Sequence, residues 1–321
     1  MRRVERLIKQ VRRATDNEEF NNDQVDPLGI TTQEISEFLN EAQDNIKARI
    51  SEVHPKIFIK TSTMDLVAGQ ELYNLPSDLY LNGRILNIEA KFSNQTSDYT
   101  NLRHKSIKSR LPNVTSEIPS FYIKIGDQIA IQPTPSRAWT DGIRLTYQKK
   151  LPSLGFRIGQ VSSVTTSGTD TTIISLNASP TKTQDAGLPA LAEDYITQFD
   201  ELTVVNKKGV IQAAGLPVST YDSVNQQVTL EEEHALSASE SITAGDYLVG
   251  GSQATTVADL PDTCERYLIA YAAWKVLKTD SMVDSKDQER ELAAMLSEIV
   301  AAFKEVTEDP IELLIDQDWV I

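Results

Sequence analysis

A single cysteine, Cys264, in 321 residues excludes an internal disulfide and a thiolate zinc site. It lies in an apolar run, where a thiol behaves as a small buried hydrophobe. Histidine is nearly as scarce: His54, His104 and His234 share no motif, and no second ligand recurs at metal-binding spacing. Phosphate loops are missing too. The stretch from Gly155 to Gly159 is followed by neither lysine nor a helix pattern, and Gly250-Gly251 opens no capped helix. There is no G-x-S-x-G elbow. Glu231-Glu232-Glu233-His234 is dense in ligand atoms, but neighbours on a strand point to opposite faces, so at most two could share a site. Asp316 and Asp318 sit on a terminal segment that does not hold carboxylates in catalytic register. Nothing is long and apolar enough to span a bilayer, and MRRVERLIKQVRR lacks the apolar stretch of a signal peptide. These absences predict a chain with no catalytic residues, no cofactor and no metal, working off the membrane in a reducing compartment.

Positive charge is also in short supply. Lys and Arg number 31 against 46 acids, a net of -15, which disfavours a surface that tracks nucleic acid throughout but leaves room for a local basic patch. The deficit is deepest from Ser153 to Thr256, where only Arg157, Lys182, Lys207 and Lys208 remain. Short apolar patches recur there between Ser, Thr, Gly and Asn, as in TTIISL, DELTVV, GVIQAA and DYLVGG. That composition predicts an inserted antiparallel β domain, a barrel or a sandwich, over 153–256. A weak internal echo links Ile196–Leu202 with Ile242–Leu248.

The apolar fraction, 40%, supports a real core. Ile118 to Pro152 reads as a three-strand meander, because apolar residues alternate through Phe121, Ile123 and Ile125, then Ile129 and Ile131, then Ile143, Leu145 and Tyr147. Gly126-Asp127-Gln128 turns the first pair, Pro133-Thr134-Pro135 stops the second strand, and Asp141-Gly142 marks a turn into the third. Thr31 or Thr32 can cap a helix whose apolar face is Ile35, Phe38, Leu39, Ala42, Ile46 and Ile50, and Pro55 ends it. Two more helices are predicted late in the chain, one in LPDTCERYLIAYAAWKVL and one from Ser285 to Val306. The expected fold is α+β: a helical bundle built from both chain ends, a central antiparallel β meander and the inserted β barrel or sandwich. The segments are a basic arm (1–26), a helical segment (27–60), the β region (61–152), the insert (153–256), bundle helices (257–309) and a docking tail (310–321).

Three stretches carry candidate contacts. Arg2, Arg3, Arg6, Lys9, Arg12 and Arg13 lie on a short amphipathic helix with Val4, Leu7, Ile8 and Val11. It can be an arm that folds on an acidic partner, a nucleic-acid contact or a solvated face. Arg103, His104, Lys105, Lys108 and Arg110 form a second basic run, a solvated face or one that meets an acidic surface. The terminal IELLIDQDWVI is apolar and acidic at once, with Ile311, Leu314, Trp319 and Ile321 as candidate anchors. It either folds over its own core or docks on a neighbouring copy or another protein.

TTQEISEFLNEA, YNLPSDLYLNGRILNIE, the 118–152 stretch and LPDTCERYLIAYAAWKVL together resemble the head-to-tail adaptors of tailed bacteriophages, of the head completion, neck or tail tubular protein A type. The resemblance rests on Leu75-Pro76, the Ile131–Pro135 stop, the Y-x-K-x-x-P end from Tyr147 to Pro152, and a late helix with Tyr267, Ala272, Ala273 and Trp274. It covers residues 30–150 and 258–306. It implies a structural virion protein, a ring usually of twelve copies between portal and tail, which extends the DNA channel and carries the tail. Implied partners are the portal protein, a tail or nozzle protein, neighbouring copies and passing genomic DNA without sequence-specific binding. The implied place is the portal-tail interface of the virion, after assembly in the host cytoplasm. Arg2, Arg3, Arg6, Arg12, Arg13 and the tail residues become candidate portal or intersubunit contacts. A different class of function stays open for the Ser/Thr/Gly-rich insert: a carbohydrate- or receptor-binding virion module.

Overall fold

The computed structural model describes residues 3–15, 30–53, 57–80, 85–92, 99–111, 114–167, 171–177, 196, 199–222, 224–231, 242–279 and 285–308. The chain is α+β, with helices and mostly antiparallel sheets. It divides into two compact units, Ile50–Leu151 on one side and Met1–Arg49 with Pro152–Ile321 on the other. The first is called the excursion below and the second the body.

The body opens with α1 (Val4–Ala14), which buries Val4, Leu7, Ile8 and Val11 on one face at helical spacing. Glu5 stands in its first turn and Arg12 and Arg13 in its last, the arrangement the helix dipole favours. The second helix, α2 (Thr32–Val53), starts with a capping box: Glu34 N donates to Thr31 Oγ1 at 3.1 Å, and Thr31 N donates to Glu34 Oε2 at 2.7 Å. Ile35, Leu39, Ala42 and Ile46 are fully buried. A polar row on the same helix, with Ser36 and Gln43 buried and Asn40 half-buried, bonds to main chain. Ser36 Oγ donates to Leu154 O at 2.6 Å, Asn40 exchanges two bonds with Leu154 (Nδ2 to O, 3.0 Å; Leu154 N to Oδ1, 2.5 Å), and Gln43 Nε2 donates to Pro152 O at 2.9 Å. Each buried main-chain group would otherwise cost on the order of 1–3 kcal/mol.

The excursion holds β1 (Ile59–Leu66), β2 (Leu72–Asn74), β3 (Ile85–Lys91), β4 (Tyr99–Asn101), β5 (Arg103–His104), β6 (Thr115–Ser116), β7 (Phe121–Ile125), β8 (Gln128–Gln132), β9 (Thr134–Pro135) and β10 (Trp139–Gln148). Two four-stranded sheets form, in the orders β1-β10-β3-β4 and β2-β8-β7-β5. One core joins them: Ile88, Ala90, Ile143, Leu145 and Tyr147 from the first, Tyr73, Ile129 and Ile131 from the second. The expected hairpin is present, with β7 on β8 across Gly126 at φ 58°. The third meander strand is not beside it; β10 lies at the centre of the other sheet. Pro133 and Pro135 supply no ladder donors, so pairing with β8 cannot continue, and the chain crosses over through β9, which pairs with β6. Asp141-Gly142 likewise makes no turn between strands. It is an irregularity inside β10, where the register with β1 shifts between Met64 and Leu66. Asp141 holds φ 51° with its N donating to Asp65 Oδ1 (2.8 Å) and its Oδ1 accepting from Thr63 Oγ1 (2.7 Å). A Cβ at Gly142 would lie 2.4 Å from that of Leu66, so the strands approach as closely as they do only because glycine is there.

Back in the body follow β11 (Ser153–Leu154), β12 (Arg157–Ser167), β13 (Thr171–Leu176), β14 (Glu201–Val205), β15 (Ile211–Asp222), β16 (Gln227–Leu230), β17 (Tyr247–Gly250) and β18 (Ala254–Thr255). Six of these close on themselves as a barrel in the order β12-β13-β16-β15-β14-β17, while β11 pairs with β18. The two echoing sequences end in β14 and β17, which pair antiparallel with Leu202 opposite Gly250. A 3₁₀ turn, Asp262–Cys264, without a side-chain cap leads into α3 (Glu265–Thr279), and α4 (Ser285–Glu308) follows. Helix α3 packs on both α1 and α4. A main-chain bond from Val4 N to Thr256 O at 2.9 Å ties the start of α1 to the residue after β18.

Candidate interaction surfaces

The first surface is the outer side of α1. Arg3, Arg6, Lys9 and Arg13 are exposed, whereas Arg12 is buried and donates from Nη2 to Thr32 Oγ1 at 2.8 Å, tying α1 to the start of α2. Glu5, the one acid in that stretch, pairs with Arg157 of β12 at 2.8 Å, and both are largely buried. Arg157 also stacks over the Tyr247 ring at 4.6 Å. Arg2 and the tail candidates Ile311, Leu314, Trp319 and Ile321 lie outside the described residues.

A second surface is the α3/α4 side of the body. Leu292 and Ile299 are the buried stripe of α4, and Ala293, Ala294, Ala301 and Ala302 face outward. A cleft of about 160 Å³ runs between the helices past Arg266, Tyr267, Met295 and Ile299. That is smaller than the ~300 Å³ at which sites for drug-sized ligands begin. Tyr271 donates to Glu41 Oε1 of α2 at 2.6 Å, and Lys275 Nζ reaches the same oxygen at 2.8 Å. Burial opposes ionisation of Glu41, but these two bonds outweigh it and hold its pKa below the ordinary value. Burial pushes the Tyr267 phenol up to about 12 and the Cys264 thiol up to about 11, so Cys264 is a packed thiol with no nucleophilic character near neutrality.

The third surface lies on the excursion, along residues 103–111 and 114–118. Strand β5 runs parallel to β7 at the end of its sheet, with Arg103 N bonded to Ser120 O and Lys105 N to Tyr122 O. After a 3₁₀ turn at Ile107–Ser109 the segment returns along β8 and β9: Leu111 N meets Gln132 Oε1 at 3.2 Å, and Thr134 N donates to Val114 O at 2.9 Å. Arg110 grips Glu71 with two bonds, 2.7 and 3.0 Å, and lowers its pKa; Lys105 lies 4.2 Å over the Phe121 ring. Arg103 and Lys108 are exposed and have no ion-pair partner among the described residues. On the same segment Ile107, Leu111, Val114 and Ile118 are exposed at 60, 38, 43 and 47%. Sequence reading marks the cations but passes over these four apolar residues.

Among the described residues no group of three His, Cys, Asp or Glu could hold a metal ion, and no helix is long and apolar enough to cross a membrane. The family model of the SU10 adaptor protein matches residues 3–199. This chain belongs to that family of phage head-tail adaptors. As an adaptor it is a structural virion component that interacts with other parts of the virion. The match takes in α1, α2, the whole excursion and the start of the barrel. It includes the basic arm, which the sequence resemblance omits, and stops short of α3, on which that resemblance partly rests. No curated protein matches the adaptor. Two of its sequence hallmarks meet in space. Tyr147, from the Y-x-K-x-x-P end, is fully buried and donates to Asp78 Oδ1 at 2.6 Å, three residues from Leu75-Pro76; Lys60 binds the other oxygen of Asp78 at 2.7 Å.

Proposed function

We propose that identical copies of this adaptor form a ring between portal and tail, extend the DNA channel and present the surface to which the tail attaches. The observation that carries the reading is the family match across most of the first 199 residues. The charge balance supports it further. A channel lined with Lys and Arg would grip passing phosphate with a strong, salt-dependent affinity, and in this chain acids outnumber such groups by 46 to 31. In this reading the helices from both chain ends act as one bundle toward the portal and the neighbouring copies. Arg2, Arg3, Arg6 and Arg13 reach outward with the terminal residues Ile311, Leu314, Trp319 and Ile321, while Arg12 fixes α1 in place. The chain performs no catalysis.

Native mass spectrometry of the protein alone and mixed with the portal of the same phage tests this. Addition of many copies to one portal is the expected result. A protein that never associates with the portal sinks the proposal.

A further inference from the structure

The geometry points to a docking surface: we propose that residues 103–111 and 114–118 receive the acidic, apolar C-terminal segment, Ile311–Ile321, of a second copy of the chain. This deepens the ring reading and rests on it.

The charge distribution between the two units is the starting point. Residues 50–151 carry 13 Lys and Arg against nine acids, a net of +4, in a chain whose total is -15, which leaves -19 on the remainder. Within the excursion, Arg103 and Lys108 are exposed without ion-pair partners among the described residues, whereas Arg110 is committed to Glu71 and Arg137 to Glu117 (2.8 Å). The uncommitted cations flank Ile107, and Leu111, Val114 and Ile118 follow on the same segment. A partner for this surface has to bring acids and apolar bulk together.

Nucleic acid brings only the first. Phosphate contacts are made by cationic and polar groups, and they leave four exposed aliphatic side chains in water. The segment Ile311–Ile321 brings both. It holds Glu312, Asp316 and Asp318 with no Lys or Arg, and seven of its eleven residues are Ile, Leu, Trp or Val. Residues 309–321 span up to about 45 Å when extended. Complementary patches at two different places on one chain make a head-to-tail contact, and such a contact repeated through a rotation that closes makes a ring.

Cross-linking in the full-length chain tests the pairing. One preparation carries Ile107→Cys and a second carries Val320→Cys; they are mixed, assembled on the portal and oxidised, with the buried Cys264 left in place. The expected product is a heterodimer of twice the chain mass that neither preparation yields alone. Lys108→Glu in the first preparation reduces its yield at least tenfold, and Asp318→Lys in the second restores it. Three results overturn the inference. The first is a cross-link that forms only within a doubly substituted chain, which places the segment on its own copy. The second is no cross-link although copies add to the portal in full number, which leaves the adaptor reading standing. The third is Ile107→Cys protected from thiol reagents by duplex DNA without any cross-link, which assigns the surface to nucleic acid. Failure to add to the portal at all removes the ring reading and this inference together.

Discussion

The body and the excursion solve the same problem, a buried tyrosine beside a carboxylate, with the same three groups. In the excursion Tyr147 donates to Asp78, which Lys60 also binds; in the body Tyr271 donates to Glu41, which Lys275 also binds. They differ in their surroundings. The Asp78 side chain is 20% exposed and Glu41 46%, so the same bonds act in a drier setting in the excursion. Beyond this shared device the units part company. The excursion is two sheets over one aliphatic core and carries a positive balance, while the body is helices and a closed barrel joined by the largely buried Glu5–Arg157 pair and carries a large negative one. The lesson is that a net charge of -15 describes neither region. It averages a mildly basic module with a strongly acidic one.

Core truncations have the largest expected effect on this comparison. Leu145→Ala in the excursion and Leu39→Ala in the body each remove a fully buried side chain and cost about 3 kcal/mol. Calorimetry is expected to show each variant lowering one transition and leaving the other in place; a common shift would mean that the units unfold as one. Next comes Glu5→Ala, which removes the carboxylate paired with the Arg157 guanidinium inside the body and costs about 3 kcal/mol at most, confined to the body transition.

The paired tyrosines follow. Tyr147→Phe costs roughly 1–2 kcal/mol and Tyr271→Phe about half that, because the more exposed Glu41 finds water in place of the phenol. Equal losses in denaturant titrations would erase the distinction drawn from exposure. Titration gives the smallest effect. Burial works against ionisation of Asp78, but the bonds from Lys60 and Tyr147 outweigh it, so its pKa is lowered in the folded chain. A carboxylate with a lowered folded pKa stabilises above its unfolded value, near 4, and that stability is lost as pH falls through the folded pKa. Tyr147 and Tyr271 are shifted the other way, upward by burial first and by their carboxylates second. Their contribution is complete below about pH 10 and is lost as pH rises above it. Unfolding midpoints measured from pH 2 to 7 and from 9 to 11 are expected to fall at both extremes, with the acid loss smaller in Asp78→Asn.

Local pattern reached the elements and stopped at their partners. The T-x-x-E box at Thr31, the 3.6-residue stripe of α2 and the glycine hairpin at Gly126 are written in adjacent residues, and each is where periodicity puts it. Ser36, Asn40 and Gln43 are not part of the apolar stripe the periodicity shows, and they are taken up by main chain more than a hundred positions away. The Glu5–Arg157 pair spans 152 positions, so nothing near Glu5 announces it. The place of β10 was misread because alternation reports that a strand has a buried face and is silent on which neighbour it pairs with. At the candidate surfaces the cations were legible as composition. The exposure of Ile107, Val114 and Ile118 was not, since an isoleucine in water and one in a core are written with the same letter.

The grip of α2 on residues 152–154 has a consequence for how such a chain can change. The polypeptide leaves the body where α2 nears its end and returns at Pro152, held by Gln43 of that same helix. Arg49 lies six steps along the helix from Gln43, a rise of about 9 Å. Departure and return are therefore close together, and 102 residues hang between them. Such an arrangement behaves as a cassette: it can lengthen, shrink or be exchanged for an unrelated module while the flanking framework keeps its register.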